Sequence, residues 1–269
     1  MNNYHTHTYR CRHASGDVPD YVEAARAAGV AELGFSDHVP WKDGRWPDSR
    51  MDYGLLADYV EAVRAAARAE AARPSGRVGI VLGLECEWSP DDDSYLRDEL
   101  VGGLGIEYLV SGTHYYLDRG AWEDVGLLRD AAGLAAYARH VERSVASGLF
   151  AFVAHPDLYC LGYLRWDEDA RACARDLLDM ARDARIPVEI NGYGLRKPRV
   201  RAPEGERWPY PHRGFWELAA SYDLDVVVSS DAHRPVDAAV GLAEGRAYAA
   251  SLGLRVIDSP LAREPAARA

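Results

Sequence analysis

The sequence predicts an α/β protein, a closed and slightly distorted barrel of parallel strands in a single domain spanning 1–269. Three observations lead there. Short apolar runs rich in Val, Ile and Phe (VGIVLGLE, FAFVAHP, PVEIN, VVVSSD) recur along the chain, as buried parallel strands do. Ala-, Glu- and Arg-rich segments with helical spacing separate them. No stretch reads as an interdomain linker.

The strands are expected at Asn3–Thr8, Ala31–Ser36, Val78–Glu85, Tyr108–Thr113, Phe150–His155, Pro187–Asn191 and Val226–Asp231. Between them, DYVEAARAAGV reads as a helix with Gly29 as its stop signal, and DYVEAVRAAARAEAAR is a strong helix former. Further helices are expected at Ala131–Ser147, Asp169–Ala184, His212–Tyr222 and Val236–Ala250. Seven strand–helix units make a (β/α)7 arrangement, one unit short of a TIM barrel and otherwise TIM-like. The stretch Gly192–Pro211 is expected to be a long functional loop, and residues 263–269 a frayed tail.

Composition narrows the function. Hydrophobic residues are 48% and charged residues 27%, so a packed core is affordable and global disorder is excluded. The net charge of −11 repels phosphate backbones, which argues against a nucleic-acid groove. No apolar run is long enough to span a membrane, and MNNYHTHT has no signal-peptide core. The four cysteines form no CxxC pair, so reduced thiols and a cytoplasmic setting are expected. Nothing in the sequence signals an oligomeric state.

The chemistry is carried by histidines. Seven of the nine sit at or just after expected strand ends: His5, His7, His13, His38, His114, His155 and His233. Glu85, Glu87, Glu189, Asn191 and Asp231 occupy equivalent places. In a parallel barrel all these ends open on one face, where barrel active sites lie. Imidazole and carboxylate are ligands for zinc, iron or manganese. About nine groups are too many for one tetrahedral ion, so two or three divalent ions are expected, with a carboxylate as bridge. Such ions can hold a hydroxide and clamp a phosphoryl oxygen. His140 lies in a helical stretch and reads as solvated; His212 could reach the site but is not counted in it.

In order, YHTHTYRCRHASGDVPDYVEAA, ELGFSDHVP, GLECEW, GTHY, AHPDL, EINGYGLRKP and WPYPHRGFWELAASY…SSDAH resemble the polymerase-and-histidinol-phosphatase (PHP) superfamily over about residues 4–257, and within it the monofunctional histidinol-phosphate phosphatases. The resemblance implies the PHP fold, a distorted seven-stranded β/α barrel, and a trinuclear site. One ion would take His5, His7, Glu85 and Asp231; a second would share Glu85 and take His114 and His155; a third would take His13, His38 and His233. It also implies that the arginine of GLRK, Arg196, binds the substrate phosphate, with Lys197 beside it. Glu87 is either a support for these ligands, a substrate contact or a rim residue. Gly192 and Tyr193 stand where small polar residues are expected, and Tyr193 reshapes the pocket. Trp41 and Trp46 read as rim packing, with closure over substrate as the alternative.

The function implied is metal-dependent hydrolysis of L-histidinol phosphate by a metal-bridging hydroxide, with Glu85, Asp231 and His233 as catalytic residues. Asp231 and His233 are candidates, by position, to protonate the leaving alkoxide, as is water. The partner is then a small phosphorylated metabolite, with no nucleic acid and no membrane. Alternatives are another small phosphomonoester, a phosphodiester, or a metal-binding protein without turnover.

Overall fold

The computed structural model describes residues 1–261; the tail expected at 263–269 lies outside them. The chain runs β1 (Asn2–Asn3), α1 (Val18–Ala27), β2 (Glu32–His38), α2 (Leu56–Ala71), β3 (Gly79–Cys86), β4 (Tyr108–Ser111), then a hairpin of β5 (Tyr115–Asp118) and β6 (Ala121–Asp124). It continues with α3 (Ala131–Ala146), β7 (Phe150–Val153), α4 (Glu168–Ala184), β8 (Val188–Asn191) and a second hairpin of β9 (Val200–Ala202) and β10 (Gly205–Arg207). It ends with α5 (Arg213–Ala219), β11 (Asp225–Ser229), α6 (Leu242–Ser251) and β12 (Arg255–Val256).

Eight strands form one sheet in the order β1-β2-β3-β4-β7-β8-β11-β12. Every pairing in it is parallel. All seven expected strands are present, and β12 adds an eighth beside the start of β11. β1 is shorter than expected because side chains break its ladder with β2: Thr6 N donates to Ser36 Oγ (3.2 Å) and Thr6 Oγ1 donates to the Gly34 carbonyl (2.8 Å). Ser36 N donates to the Thr6 carbonyl (3.0 Å), His7 N donates to the Ala232 carbonyl (2.9 Å), and Thr6 and Ala232 form a parallel bridge. The sheet therefore curls until its first strand meets the end of β11. Tyr4, Tyr108, Val110, Phe152, Ala154 and Val227 fill the inside of the curl. The larger core, including Phe35, Leu84, Leu109, Leu178 and Trp216, lies between sheet and helices; each such side chain contributes roughly 1.5–3 kcal/mol by burial.

Local signals set the helix ends. Asp17 and Asp20 form a capping box at the start of α1, with Pro19 in its first turn. The last helix, expected over Val236–Ala250, is confined to α6 because Gly241 at φ +87° breaks the path before it. α5 begins after His212, which caps it by accepting from Gly214 N (3.1 Å). The stretch Gly192–Pro211, expected to be loop, carries the β9–β10 hairpin.

His140 is a correction: it is buried, not solvated. Tyr137, His140, Val141, Ser144 and Val145 share the inner face of α3 at helical spacing. Its Nδ1 accepts from Leu117 N (3.1 Å) and its ring packs edge-on to Trp122, tying α3 to the β5–β6 hairpin. Burial pulls its pKa down to about 4.

Candidate functional site

Strand geometry gathers the predicted ligands at the C-terminal ends of the sheet. His5 and His7 follow β1, His38 ends β2, Glu85 lies one residue before the end of β3, and His155 lies two past β7. Asp231 and His233 follow β11. His155 (φ +29°) and Asp231 (φ +48°) adopt left-handed backbone, a strained region for residues with a Cβ. The strain sits at two ligands.

Glu85 is the centre of the cluster. Its Oε1 faces His155 Nε2 (3.0 Å) and His114 Nε2 (3.7 Å). Its Oε2 faces His38 Nδ1 (3.0 Å), His5 Nε2 (3.2 Å) and His7 Nε2 (3.5 Å). Asp231 Oδ1 lies 3.1 Å from His7 Nε2 and 3.7 Å from His5 Nε2. Room for the Glu85 carboxylate comes from Gly112, where a Cβ would stand 2.0 Å from Oε1. That explains the glycine of the SGTH segment.

A third corner is histidine alone. His13 Nε2 and His233 Nε2 are 2.9 Å apart, and His13, His38 and His233 can bring three nitrogens within 4.8 Å of one another. The nitrogens turned away from this corner are used: His13 Nδ1 lies 2.8 Å from the Cys11 carbonyl and His233 Nδ1 lies 3.1 Å from the Asp231 carbonyl. Comparable groupings join His5, His7 and Asp231; His5, Glu85 and His155; and His7, His38 and Glu85. His114 stands at the edge of the cluster and is partly exposed. Cys11, not singled out in the sequence, lies beside His7 and His233.

The residues fit divalent ions. His5 Nε2, both His7 nitrogens, His38 Nδ1 and Asp231 Oδ1 are buried without hydrogen-bond partners, although they converge. Buried polar atoms without partners are costly, and a cation shared between their lone pairs removes that cost. The supporting contacts fit too. His5 Nδ1 donates to Glu189 Oε1 (2.9 Å), and Glu189 Oε2 accepts from His155 N (3.0 Å) and Asn191 Nδ2 (2.8 Å). Asn191 Nδ2 also donates to Asp231 Oδ2 (3.1 Å).

Electrostatics follow from these neighbours. Burial opposes protonation of His5, but the Glu189, Asp231 and Glu85 carboxylates override it and hold its pKa well above the ordinary value. Burial, Asp231 and Asp37 together leave His7 at about 9. Burial raises the pKa of Glu85 and of Asp231, yet the surrounding histidines bring both well below the ordinary carboxylate range. Burial and neighbouring positive groups, Arg50 and His7 among them, lower His38.

Glu87 supports a ligand. Its Oε1 accepts from His114 Nδ1 (3.1 Å) and pairs with Arg50 Nη2 (2.5 Å), all three groups lying at the rim of the cluster. Arg50 was not identified in the sequence; its signal was weak, one arginine in the loop that carries Trp41 and Trp46. Trp41 and Trp46 pack as rim: Trp41 is buried against the Arg45 guanidinium, and Trp46 stacks on Tyr115 at 4.0 Å. His212 packs on Trp166, away from the cluster. Its backbone N–H and Trp216 Nε1 donate to Asp157 Oδ2, and burial pushes Asp157 up to about 6. Tyr193 stacks on His233 (4.8 Å between ring centres). Arg196 and Lys197 border the same edge, with the Lys197 ammonium 4.3 Å from the Tyr193 ring centre.

The chain is similar to known proteins. A protein named "Probable histidinol-phosphatase" from Deinococcus radiodurans is 32% identical over 245 residues, covering 86% of this chain and 85% of its own. The crystal structure of histidinol phosphate phosphatase from Lactococcus lactis subsp. lactis, complexed with zinc, L-histidinol and phosphate, has a TM-score of 0.72 over 96% of this chain and 97% of its own. At 13% identity, that likeness is one of fold. The profile of the PHP domain matches residues 3–192, which carry His5 through Asn191 of the cluster, and with that match the chain belongs to the PHP domain family.

Proposed function

We propose that this chain is a phosphoric monoester hydrolase that converts L-histidinol phosphate to L-histidinol and phosphate. The observation that carries the reading is Glu85, one buried carboxylate faced by five imidazoles from four different strand ends. That is the place of a carboxylate shared between ions. The 32% identical relative bears the name of this activity, and the Lactococcus lactis protein was solved with zinc, L-histidinol and phosphate.

His5, His7, Glu85 and Asp231 would hold one ion, Glu85, His114 and His155 a second, and His13, His38 and His233 a third. Divalent ions there would supply positive charge to the phosphoryl oxygens and lower the pKa of an attacking water. The protein's own groups orient the ligands. Glu189 fixes the ring of His5, Asn191 fixes Asp231, and Glu87 fixes His114. Asp231 is held ionised and His233 neutral, since burial and then the His7 charge depress the His233 pKa. As ligands, Asp231 through a carboxylate oxygen and His233 through a ring nitrogen would have no proton to give, and solvent water would protonate the leaving alkoxide. Arg196 and Lys197 supply positive charge toward the phosphate at the Tyr193 edge. Four free, buried cysteines support a reducing, cytoplasmic setting, and no helix among the described residues is long and apolar enough to cross a membrane.

The test is steady-state kinetics of metal-loaded protein on L-histidinol phosphate beside simple sugar phosphates. A kcat/KM of ~10⁴ M⁻¹s⁻¹ or more, far above the other substrates, is expected. Weak, unselective turnover would move the substrate elsewhere.

A further inference from the structure

We propose that Asp37 is a positioning residue for two metal ligands at once. It orients the ring of His7 through Nδ1 and fixes the main chain of His38 through its N–H, as Glu189 does for His5 and His155. The inference rests on the ion sites proposed above and names a residue that ties two of them together.

The two histidines of YHTHT set up the comparison. His5 and His7 both aim Nε2 at the carboxylates of Glu85 and Asp231, at 3.1–3.7 Å. Their rings are tilted by 50° to one another, and their Nδ1 atoms reach different strands. His5 Nδ1 meets Glu189 Oε1 on β8 (2.9 Å), and Glu189 Oε2 accepts from His155 N (3.0 Å). His7 Nδ1 faces Asp37 Oδ1 on β2 (3.6 Å), and that oxygen accepts from His38 N (3.0 Å). Each carboxylate thus faces one ring of the pair and takes the backbone N–H of another ligand.

The surroundings of Asp37 leave it this task. Its side chain is fully buried. Among the described residues, His7 is the one basic side chain within ion-pair distance of it. Arg10, which donates to Thr8 Oγ1 (3.3 Å), is committed to Asp17 and Asp58. Burial keeps the neighbouring Cys11 thiol neutral. A buried carboxylate without a Lys or Arg is costly unless donors compensate it, and an imidazole N–H is the donor at hand. With its proton on Nδ1, His7 keeps its lone pair on Nε2, the nitrogen turned to Glu85 and Asp231. The carboxylate itself is anchored: Oδ2 accepts from Thr8 N (3.1 Å) and from Thr8 Oγ1. Thr8 directly follows His7, so ring and main chain at this ligand are held by one side chain.

The experiment is cadmium and imidazole-nitrogen magnetic resonance on cadmium-loaded protein, with Tm and kinetics alongside. Asp37→Asn should move the cadmium signals of the ions held by His7 and by His38, and leave that of the His114 and His155 ion in place. Glu189→Gln should instead move the signals of the ions held by His5 and by His155, and spare that of the His13, His38 and His233 ion. Affinity for the affected ions should fall roughly 10- to 100-fold, and excess metal should restore most of kcat with KM nearly unchanged. Thr8→Val, which cuts another bond to the same carboxylate, should lower Tm and leave the signals alone. Asp37→Asn moving every signal or none, or Thr8→Val reproducing its pattern, overturns the proposal. The wild type supplies a check that needs no variant to fold: His7 should bind through Nε2 with its proton on Nδ1, and binding through Nδ1 overturns the proposal. Histidinol phosphate hydrolysis with signals indifferent to Asp37→Asn sinks this inference alone. The expected pattern of signals without that hydrolysis upholds it and sinks the substrate assignment alone.

Discussion

His5, His7 and His155 on one side of Glu85, and His13, His38 and His233 on the other, are the same side chain pushed in opposite directions. Burial disfavours the charged form of all six. On the first side Glu189, Asp231 and Glu85 lie close enough to overcome that penalty, and the three pKa values rise. On the second side other histidines and Arg50 add positive charge, and the three fall. A carboxylate-rich half and an all-imidazole corner meet where His38 Nδ1 faces Glu85 Oε2 (3.0 Å). The difference teaches that ligand count alone does not describe this centre: without metal, one half holds protons that an ion must expel, and the other is already open.

The most severe way to break the comparison is Glu85→Gln, which removes the charge common to both halves. Activity should fall on the order of 10³-fold or more, and metal analysis should show ions lost from both. Glu87→Gln acts on one ligand only, through His114. A decrease of roughly 10- to 100-fold in activity or metal affinity is expected, with folding retained; unchanged kinetics and metal content would reduce Glu87 to rim packing.

Metal titrations at several pH values sharpen the contrast itself. In the metal-free protein, the stability that protonated His7 contributes is present below about pH 6.5 and is lost as pH rises through about 9. Metal uptake by the carboxylate-rich half should therefore strengthen from pH 7 to 9, while uptake by His13, His38 and His233 stays flat. A single pH dependence for all bound ions would contradict this. The smallest effect lies outside the centre. His140, held neutral down to about 4, contributes stability that is lost as pH falls from about 6.5 toward 4, on the order of 3 kcal/mol at most. His140→Gln should flatten the acid limb of Tm against pH and leave kcat nearly unchanged.

The strand ends and the residues that gather at them were legible because chemistry and periodicity coincided there. Each buried run carried a His, Glu or Asp at or near its end, and the parallel topology did the rest. What escaped had no such coincidence. β12 is two residues long, too short a run after Gly253 to carry a strand pattern of its own. The β5–β6 hairpin mixes exposed and half-buried residues over four-residue strands. His140 was misread although Tyr137, Val141 and Val145 mark a buried helical face around it. Arg50 is one loop arginine whose burial depends on Glu87, 37 residues away, a pairing visible only in three dimensions.

The bridge between Thr6 and Ala232, with Asn3 Nδ2 bonded to Ser230 Oγ across 227 residues, has a consequence for biosynthesis. The candidate centre gathers residues far apart in the sequence, from His5 to His233. A nascent polypeptide that has released His5 through His155 from the ribosome still lacks Asp231, His233 and the last wall of the curl. Its sheet ends in an uncovered strand edge, the kind of edge that invites aggregation. Assembly of the proposed ion site would therefore wait for Asp231 and His233 to be made, and a chain cut short before them is expected to retain fewer ions.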